Sequence, residues 1–202
     1  MFFNLKSKTR INHAINNPVE SALSSRQSQR GMSNVALGIT LIVGAIIVFG
    51  GIKMLPKITD SKINSELDTI GTFKTKTVDY GQFTPIFTTG NVSISVLQGL
   101  GFFPPNTTSG SGSSMVASNQ WGGTTTPSVG TVVTAGDSIT FTDTSYPQAA
   151  CNSLGLKLDS LAEIVTINTV VTKAAGASTV AATVATSCTP GNSNTIAYTL
   201  SR

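Results

Sequence analysis

The sequence predicts an α+β fold: one long N-terminal helix followed by a globular head of short strands and helices. Three observations predict it. Residues 31–52 carry no charge and are rich in Val, Ile and Leu. Apolar residues at Leu67, Ile70 and Phe73 then recur with the spacing of an amphipathic helix. From Val78 onward the chain changes to short runs separated by turn residues, in a composition rich in Thr, Ser, Gly and Val that favours strands and loops.

The uncharged stretch at residues 31–52 is long enough to cross a membrane as a helix. At 1.5 Å per residue it reaches roughly 33 Å, against a hydrocarbon layer of about 30 Å. An ordinary secretory signal has a shorter apolar run that starts nearer the chain terminus and ends at small residues, unlike this one. Two interpretations therefore remain open. The stretch is either an uncleaved anchor with its N-terminus in the cytoplasm, or the start of a mature chain cut between Gly31 and Met32.

The glycines of this stretch and the proline after it bear on how regular the long helix is. Each Gly costs about 1 kcal/mol of helicity relative to Ala, although glycine is common in membrane helices. Pro56 is expected to kink or interrupt the helix near Met54 and Leu55. The helix beyond Pro56 is predicted to have a solvent-exposed face, formed by Asp60, Lys62, Glu66 and Asp68.

The head is predicted to begin with a short helix at Val92–Leu100, for which a strand is the alternative. A Ser/Gly/Thr-rich loop at 107–114 follows, and Trp121 is predicted to anchor the core or a sheet edge. A later helix near 148–160 carries Cys151. The remaining predictions are strands, with a hairpin turn at 135–137 and a further turn at 190–192; the strands are Thr131–Thr134, Ser138–Thr142, Ile164–Val171 and Thr195–Leu200.

The positive charge of the chain lies in its first 31 residues. The formal net charge is +4, and the leader alone accounts for it, because its only acid is Glu20 and its bases are Lys6, Lys8, Arg10, Arg26 and Arg30. Residues 32–202 are formally neutral. The tendency of bases to stay on the cytoplasmic side of a membrane explains this layout better than nucleic-acid binding, which we do not expect.

The residues needed for most catalytic chemistry are missing from the head. The single histidine, His13, lies in the leader, which excludes a Ser-His-Asp triad and a His-ligated zinc site beyond it. The carboxylates are sparse and their spacing does not indicate a hydrolase; they are Asp79, Asp137, Asp143, Asp159 and Glu163. We therefore predict no enzymatic activity, no cofactor and no metal site.

The two cysteines, Cys151 and Cys188, both lie in the head. If the head is outside the cytoplasm, one disulfide is the simplest interpretation, with two buried free thiols as the alternative.

Several blocks of sequence together resemble one known family. They are Gly31 and Met32 followed at once by the apolar run, Asn119–Gly123, Tyr146–Cys151, and Thr186–Cys188 followed by Asn192–Thr195. In these the chain is similar to the type IV prepilins, and within them to the type IVb branch that includes bundlin and the thin conjugative-pilus pilins. The resemblance covers almost all of residues 26–202.

The resemblance implies a three-part chain: a leader peptide at 1–31, a long helix at 32–78 and a pilin head at 79–202. In such proteins a prepilin peptidase cuts after the residue matching Gly31, and the new amine, here that of Met32, is methylated. The head is an antiparallel sheet packed against the second half of the helix, and the Cys151–Cys188 pair closes a C-terminal loop. The apolar helix drives assembly through residues matching Val35, Leu37, Ile39, Leu41, Ile42, Val43, Ile46, Ile47, Val48 and Phe49.

The resemblance also implies partners and a location. The precursor resides in the inner membrane, is handled by the pilus assembly machinery, and becomes a homo-oligomeric helical filament outside the cell that supports adhesion, aggregation or conjugation. The alternatives are a minor or tip pilin, a pseudopilin of a secretion system, or an uncleaved membrane-anchored surface protein. One departure from the family pattern separates them: most pilins have a glutamate at the position of Ala36, and here no acid occurs between Glu20 and Asp60.

Overall fold

The computed structural model describes the backbone of residues 34–202 and the side chains of residues 59–202. The chain separates into two compact units, residues 1–51 and 52–202, and the contacts reported below lie within the second. Within residues 59–202, whose side chains are described, none of the helices has the length and apolar character of a membrane span. The span predicted at 31–52 lies outside the part whose side chains are described.

The long helix α1 comprises Asn34–Phe83. It continues through Pro56, so the helix is not interrupted there, whereas the alternative that was predicted, a kink, stays a prediction. A proline removes one backbone hydrogen bond, and in so long a helix the turns on either side keep theirs. The helix also ends at Phe83 and not at Val78, with the Thr84 N–H bonded to the Tyr80 carbonyl at 3.0 Å.

The described part of α1 is amphipathic, as predicted, but its buried stripe includes an acid. The stripe recurs every three or four residues, at Ile63, Glu66, Ile70, Phe73 and Thr77. Glu66 is only 3% exposed, so the prediction that it lies on the solvent-exposed face of the helix is wrong.

Beyond α1 the chain forms a seven-stranded antiparallel sheet flanked by short helices. The strand order is β1-β2-β3-β4-β7-β5-β6, so the C-terminal strand β7 lies between β4 and β5. The strands are β1 Thr108–Ser109, β2 Val116–Ser118, β3 Thr124–Thr131, β4 Ala135–Tyr146, β5 Ile164–Ile167, β6 Val170–Lys173 and β7 Asn194–Ser201. The helices are α2 Ile94–Gly99, α3 Gln148–Lys157 and α4 Ala181–Ser187, with 3-10 turns at Gly112–Ser114 and Leu158–Ser160.

Several of these elements match the prediction closely. The helix predicted at 92–100 is present as α2, and Ser93 caps it by accepting a hydrogen bond from the Val96 N–H at 3.4 Å. The helix at α3 with its 3-10 extension reproduces the predicted 148–160, and β7 reproduces the last strand.

The β3–β4 hairpin differs from the prediction. Of the predicted strand 131–134 only Thr131 is in a strand, as the last residue of β3. The turn lies at 132–134, and residues 135–137, the predicted turn, are the start of β4. The reason is Asp137, whose carboxylate accepts hydrogen bonds from the Val132, Val133 and Thr134 N–H groups at 2.7–2.8 Å. Three backbone donors that would face water in a free loop are thereby paired.

The predicted single strand at 164–171 is also wrong, because it is a hairpin. Ile167 pairs with Val170, which leaves a two-residue turn at Asn168 and Thr169. Both turn residues have positive φ, 46° and 77°. Such turns usually contain glycine, so this one gives little signal in the sequence.

Candidate functional site

The residues that the sequence marks for processing and assembly fall outside the described side chains. Gly31 and Met32 precede the described backbone. The assembly residues from Val35 to Phe49 lie on the helical backbone of α1, but their side chains are not described. Their roles therefore remain predictions.

The predicted disulfide is present. Cys151 of α3 and Cys188, which follows α4, are joined with an S–S distance of 2.01 Å and a Cα–Cα distance of 5.9 Å. Both cysteines are buried. The bond closes the segment that contains the β5–β6 hairpin and α4, so it fixes the C-terminal loop to the helix that follows β4.

Asn194, at the start of β7, attaches this loop to the sheet. It is fully buried. Its amide nitrogen donates to the carbonyls of Tyr146 at 3.0 Å and Thr189 at 2.9 Å. Its oxygen accepts from the Thr189 N–H and from the Asn168 amide, which also donates to the Ser187 carbonyl. The Asn194 side chain thus uses its hydrogen bonds to join the C-terminal loop to the end of β4.

A second polar cluster joins α1 to the sheet. It consists of Glu66 of α1, Asp143 and Tyr146 of β4, and Tyr198 of β7, all of them buried. The Tyr146 hydroxyl lies 2.8 Å from Glu66 Oε1 and 3.0 Å from Asp143 Oδ2. The Tyr198 hydroxyl lies 3.0 Å from the same Asp143 oxygen. The Gln120 N–H donates to Glu66 Oε2 at 3.3 Å.

A β-bulge brings Asp143 and Tyr146 to the same side of β4. Residues three apart on a regular strand point to opposite faces of the sheet. Here Asp143 pairs with Ile196 while Tyr146 pairs with Asn194, so β4 carries one extra residue. Ser145, within the bulge, has a φ of 67°. The alternation is reversed at this point, and both side chains enter the core.

Burial dominates the electrostatics of the cluster. It raises the pKa of Glu66 to about 7, helped by the charge of Asp143 and opposed by the Tyr146 and Gln120 hydrogen bonds. Burial raises the pKa of Asp143 to about 6, against the hydrogen bonds of Thr125, Tyr198 and Tyr146. Burial and the nearby acids raise the pKa values of both tyrosines well above the usual range. The hydroxyls are therefore donors at all ordinary pH values.

The sequence contained one signal for this cluster. Glu66 lies three residues after Ile63 and four before Ile70, which is the spacing of the buried stripe itself. The sequence contained no signal for Asp143 and Tyr146, because the residues of β4 do not indicate a bulge at Ser145.

Trp121 anchors the sheet, as predicted, beside this cluster. Its ring meets Tyr146 edge to face, with centroids 5.0 Å apart. The turn that carries it is held by Asn119, whose Oδ1 accepts from the Trp121 and Gly123 N–H groups at 3.0 and 2.9 Å. Gly123 is needed there, because a Cβ would lie 1.9 Å from the Thr144 carbonyl oxygen.

A long N-terminal helix packed on a seven-stranded antiparallel sheet, with a disulfide-closed C-terminal loop, defines the pilin class of structural subunits. The PilS N-terminal family matches residues 59–201, which is most of the chain. The chain belongs to this family of type IVb pilins, which confirms the resemblance seen in its sequence. Pilins are structural proteins, so the chain is not an enzyme.

One solved structure supports this fold, and a second is similar at a lower level. The crystal structure of a type IVb pilin from Salmonella typhi matches with a TM-score of 0.56 and 19% identity, over 69% of this chain and 99% of that one. The NMR structure of the type IVb pilin PilS from the same organism has a TM-score of 0.47 and 21% identity, over 69% and 96%. At this identity the crystal structure establishes the α+β pilin fold. A comparison with curated proteins gives no match.

Proposed function

We propose that this protein is a subunit of a type IVb pilus filament, released by prepilin peptidase between Gly31 and Met32 and assembled through its apolar helix. The observation that carries the proposal is the extent of α1. This helix begins at Asn34, two residues after the proposed mature terminus. Its C-terminal turns pack into the core of the head, which lies in the part of the chain that the pilin family matches. The proposed parts are the leader 1–31, the long-helix segment 32–78 and the head 79–202, and the last turn of α1, up to Phe83, is counted with the head.

The apolar character of residues 31–52 limits the places where this helix can be stable. Without a soluble partner, such a helix stays in lipid or is buried against copies of itself. A repeated contact between different surfaces that does not close generates a helical filament. The proposed route therefore runs from the inner membrane, through the assembly machinery, to a pilus on the cell surface that serves adhesion, aggregation or conjugation.

Cleavage is tested by expressing the full chain with and without a prepilin peptidase and determining the N-terminus. We expect Met32 as the first residue of the product only when the peptidase is present. Gly31→Leu should retain the leader, whereas the matched substitution Gly38→Leu should be cut normally. Retention of the leader by the unaltered chain would contradict the proposal and favour an uncleaved anchor.

A second candidate function, a minor or tip subunit, is favoured by Ala36. The charged amine of Met32 would lack the carboxylate that most pilins supply, and an unpaired charge in an apolar core is costly. A subunit at the tip has no subunit ahead of it to pair with. A major subunit would have to use polar groups such as Asn34 or Thr40. Abundance in sheared filaments separates the two roles: a major subunit dominates the preparation, and a minor one is a trace component.

A further inference from the structure

The cluster of Glu66, Asp143, Tyr146 and Tyr198 contains more oxygen–oxygen contacts than its hydroxyl groups can supply with hydrogens. There are three such contacts, at 2.8, 3.0 and 3.0 Å. Each tyrosine brings one hydrogen, and an ionised carboxylate brings none. If Tyr198 donates to Asp143, Tyr146 can donate to only one of the two acids. The third contact then requires a hydrogen on a carboxyl group.

We propose that Glu66 and Asp143 share one proton that fastens α1 to the sheet, and that loss of this proton at alkaline pH loosens the helix from the head. The shared proton connects α1, whose first half is proposed to drive assembly, with strands β4 and β7 of the head. It acts within residues 59–202 and does not depend on whether the leader is cleaved.

The surroundings of the pair leave a second negative charge without compensation. The titratable groups that face Glu66 from other elements are Asp143 and Tyr146 of β4 and Tyr198 of β7. The remaining neighbours contribute neutral donors, the Gln120 N–H and the Thr125 hydroxyl. Among the described residues, no lysine or arginine contributes to the pKa of either acid.

Water can contribute little to the solvation of the ionised carboxylates. The space beside the Glu66 carboxyl measures about 10 Å³, which is the lower limit of what one water molecule occupies. Two buried carboxylates without a cation or a hydration shell repel each other strongly, which is why such pairs hold a proton.

The direction of the pH effect follows from the raised pKa of Glu66. In the unfolded chain this carboxyl titrates near 4.5, and in the folded head near 7. The folded state therefore binds more protons between these values. Its extra stability is complete below pH 4.5 and is lost as the pH rises through 7. A difference of one bound proton changes the unfolding equilibrium about tenfold per pH unit.

The test uses the full chain in neutral detergent micelles, with unfolding by urea followed through Trp121, the only tryptophan. We expect the urea midpoint to fall as the pH rises from 4.5 through 7 and to level off by pH 8. Glu66→Gln keeps the shape of the side chain but cannot ionise, and should lose most of the dependence between pH 6 and 8. The double variant Glu66→Gln/Asp143→Asn should lose it over the whole range. Asp68→Asn, on the exposed face of the same helix, should keep the slope of the unaltered chain.

A midpoint that is constant or rises from pH 4.5 to 8 would overturn the proposal, as would an unaltered slope in Glu66→Gln. A second measurement covers variants that fail to fold. Infrared spectra of the unaltered folded chain should contain the carbonyl band of a protonated carboxylic acid at pH 6 that disappears by pH 8.5. Absence of that band at pH 6 would also overturn the proposal.

Discussion

Phe73 of α1 stacks on Phe141 of β4, with ring centroids 4.5 Å apart and ring planes 25° apart. Both rings are almost completely buried. Phe73 also meets Phe103 edge to face at 5.2 Å. This one side chain therefore joins the helix, the central strands and the loop after α2.

Replacing Phe73 by Ala should destabilise the head by about 3–5 kcal/mol, because it leaves a cavity between helix and sheet. Phe83→Ala is the matched control. Phe83 lies on the same helix but is 85% exposed, so its loss should cost no more than about 0.5 kcal/mol. Urea unfolding monitored by Trp121 fluorescence measures both. Equal effects of the two substitutions would show that α1 does not pack through Phe73.

Reducing the disulfide should cost about 4 kcal/mol, given a sequence separation of 37 between Cys151 and Cys188. The physical reason is the greater conformational freedom of the unfolded chain once the loop is open. Cys151→Ala/Cys188→Ala should show a similar loss and should no longer respond to a reducing agent. A thermal midpoint unchanged by reduction of the native protein would contradict this role.

Asp137→Asn should destabilise the β3–β4 hairpin by about 1 kcal/mol at neutral pH, as loss of a helix cap does. An amide has one oxygen and cannot accept all three backbone N–H groups. Although burial acts in the opposite direction, hydrogen bonds from Thr134, Val132 and Val133 lower the pKa of Asp137 to about 2, from 3.8. Its contribution is thus present above pH 3.8 and lost as the pH falls through 2.

The stability difference between Asp137→Asn and the unaltered chain should accordingly shrink in acid. Asp79→Asn, on the exposed side of α1, serves as the control for a simple loss of charge. A difference that stayed constant from pH 7 down to pH 2 would show that the Asp137 carboxylate does not cap the turn.

Gly155→Ala should destabilise the head by about 1–3 kcal/mol through overpacking. A Cβ at this position would lie 2.7 Å from Ile167 Cδ1 and 2.8 Å from Val184 Cγ1. Gly71→Ala makes the same change on α1, where nothing lies within 4 Å of the new carbon. It should stabilise the protein by up to about 1 kcal/mol through helix propensity. Thermal unfolding of the pair should give shifts of opposite sign; equal shifts would contradict the close packing of α3.

Thr169→Gly should stabilise the β5–β6 hairpin by roughly 1 kcal/mol, because a β-branched residue is strained at a φ of 77°. Asn168→Gly, the neighbouring change in the same turn, should do the opposite. It removes the hydrogen bonds of Asn168 to the Ser187 carbonyl, the Asn194 side chain and the Thr195 N–H. If both changes stabilise, the Asn168 network contributes little.

Local patterns in the sequence were sufficient for the elements whose stability is local. The buried positions Ile70 and Phe73, the short helix α2 and the disulfide were all predicted from spacing, residue type or family resemblance. Features that depend on distant partners were not. The burial of Glu66 requires Tyr146, eighty positions away, and the bulge that places Tyr146 is set by its pairing with β7.

The most direct test of the central claim is the intact mass of this chain in filaments sheared from cells that express it. We expect a polypeptide that begins at a methylated Met32 and whose mass is two hydrogens below that of the reduced chain, because of the Cys151–Cys188 disulfide. A chain that still contains residues 1–31, or filaments that contain none of this chain, would contradict it.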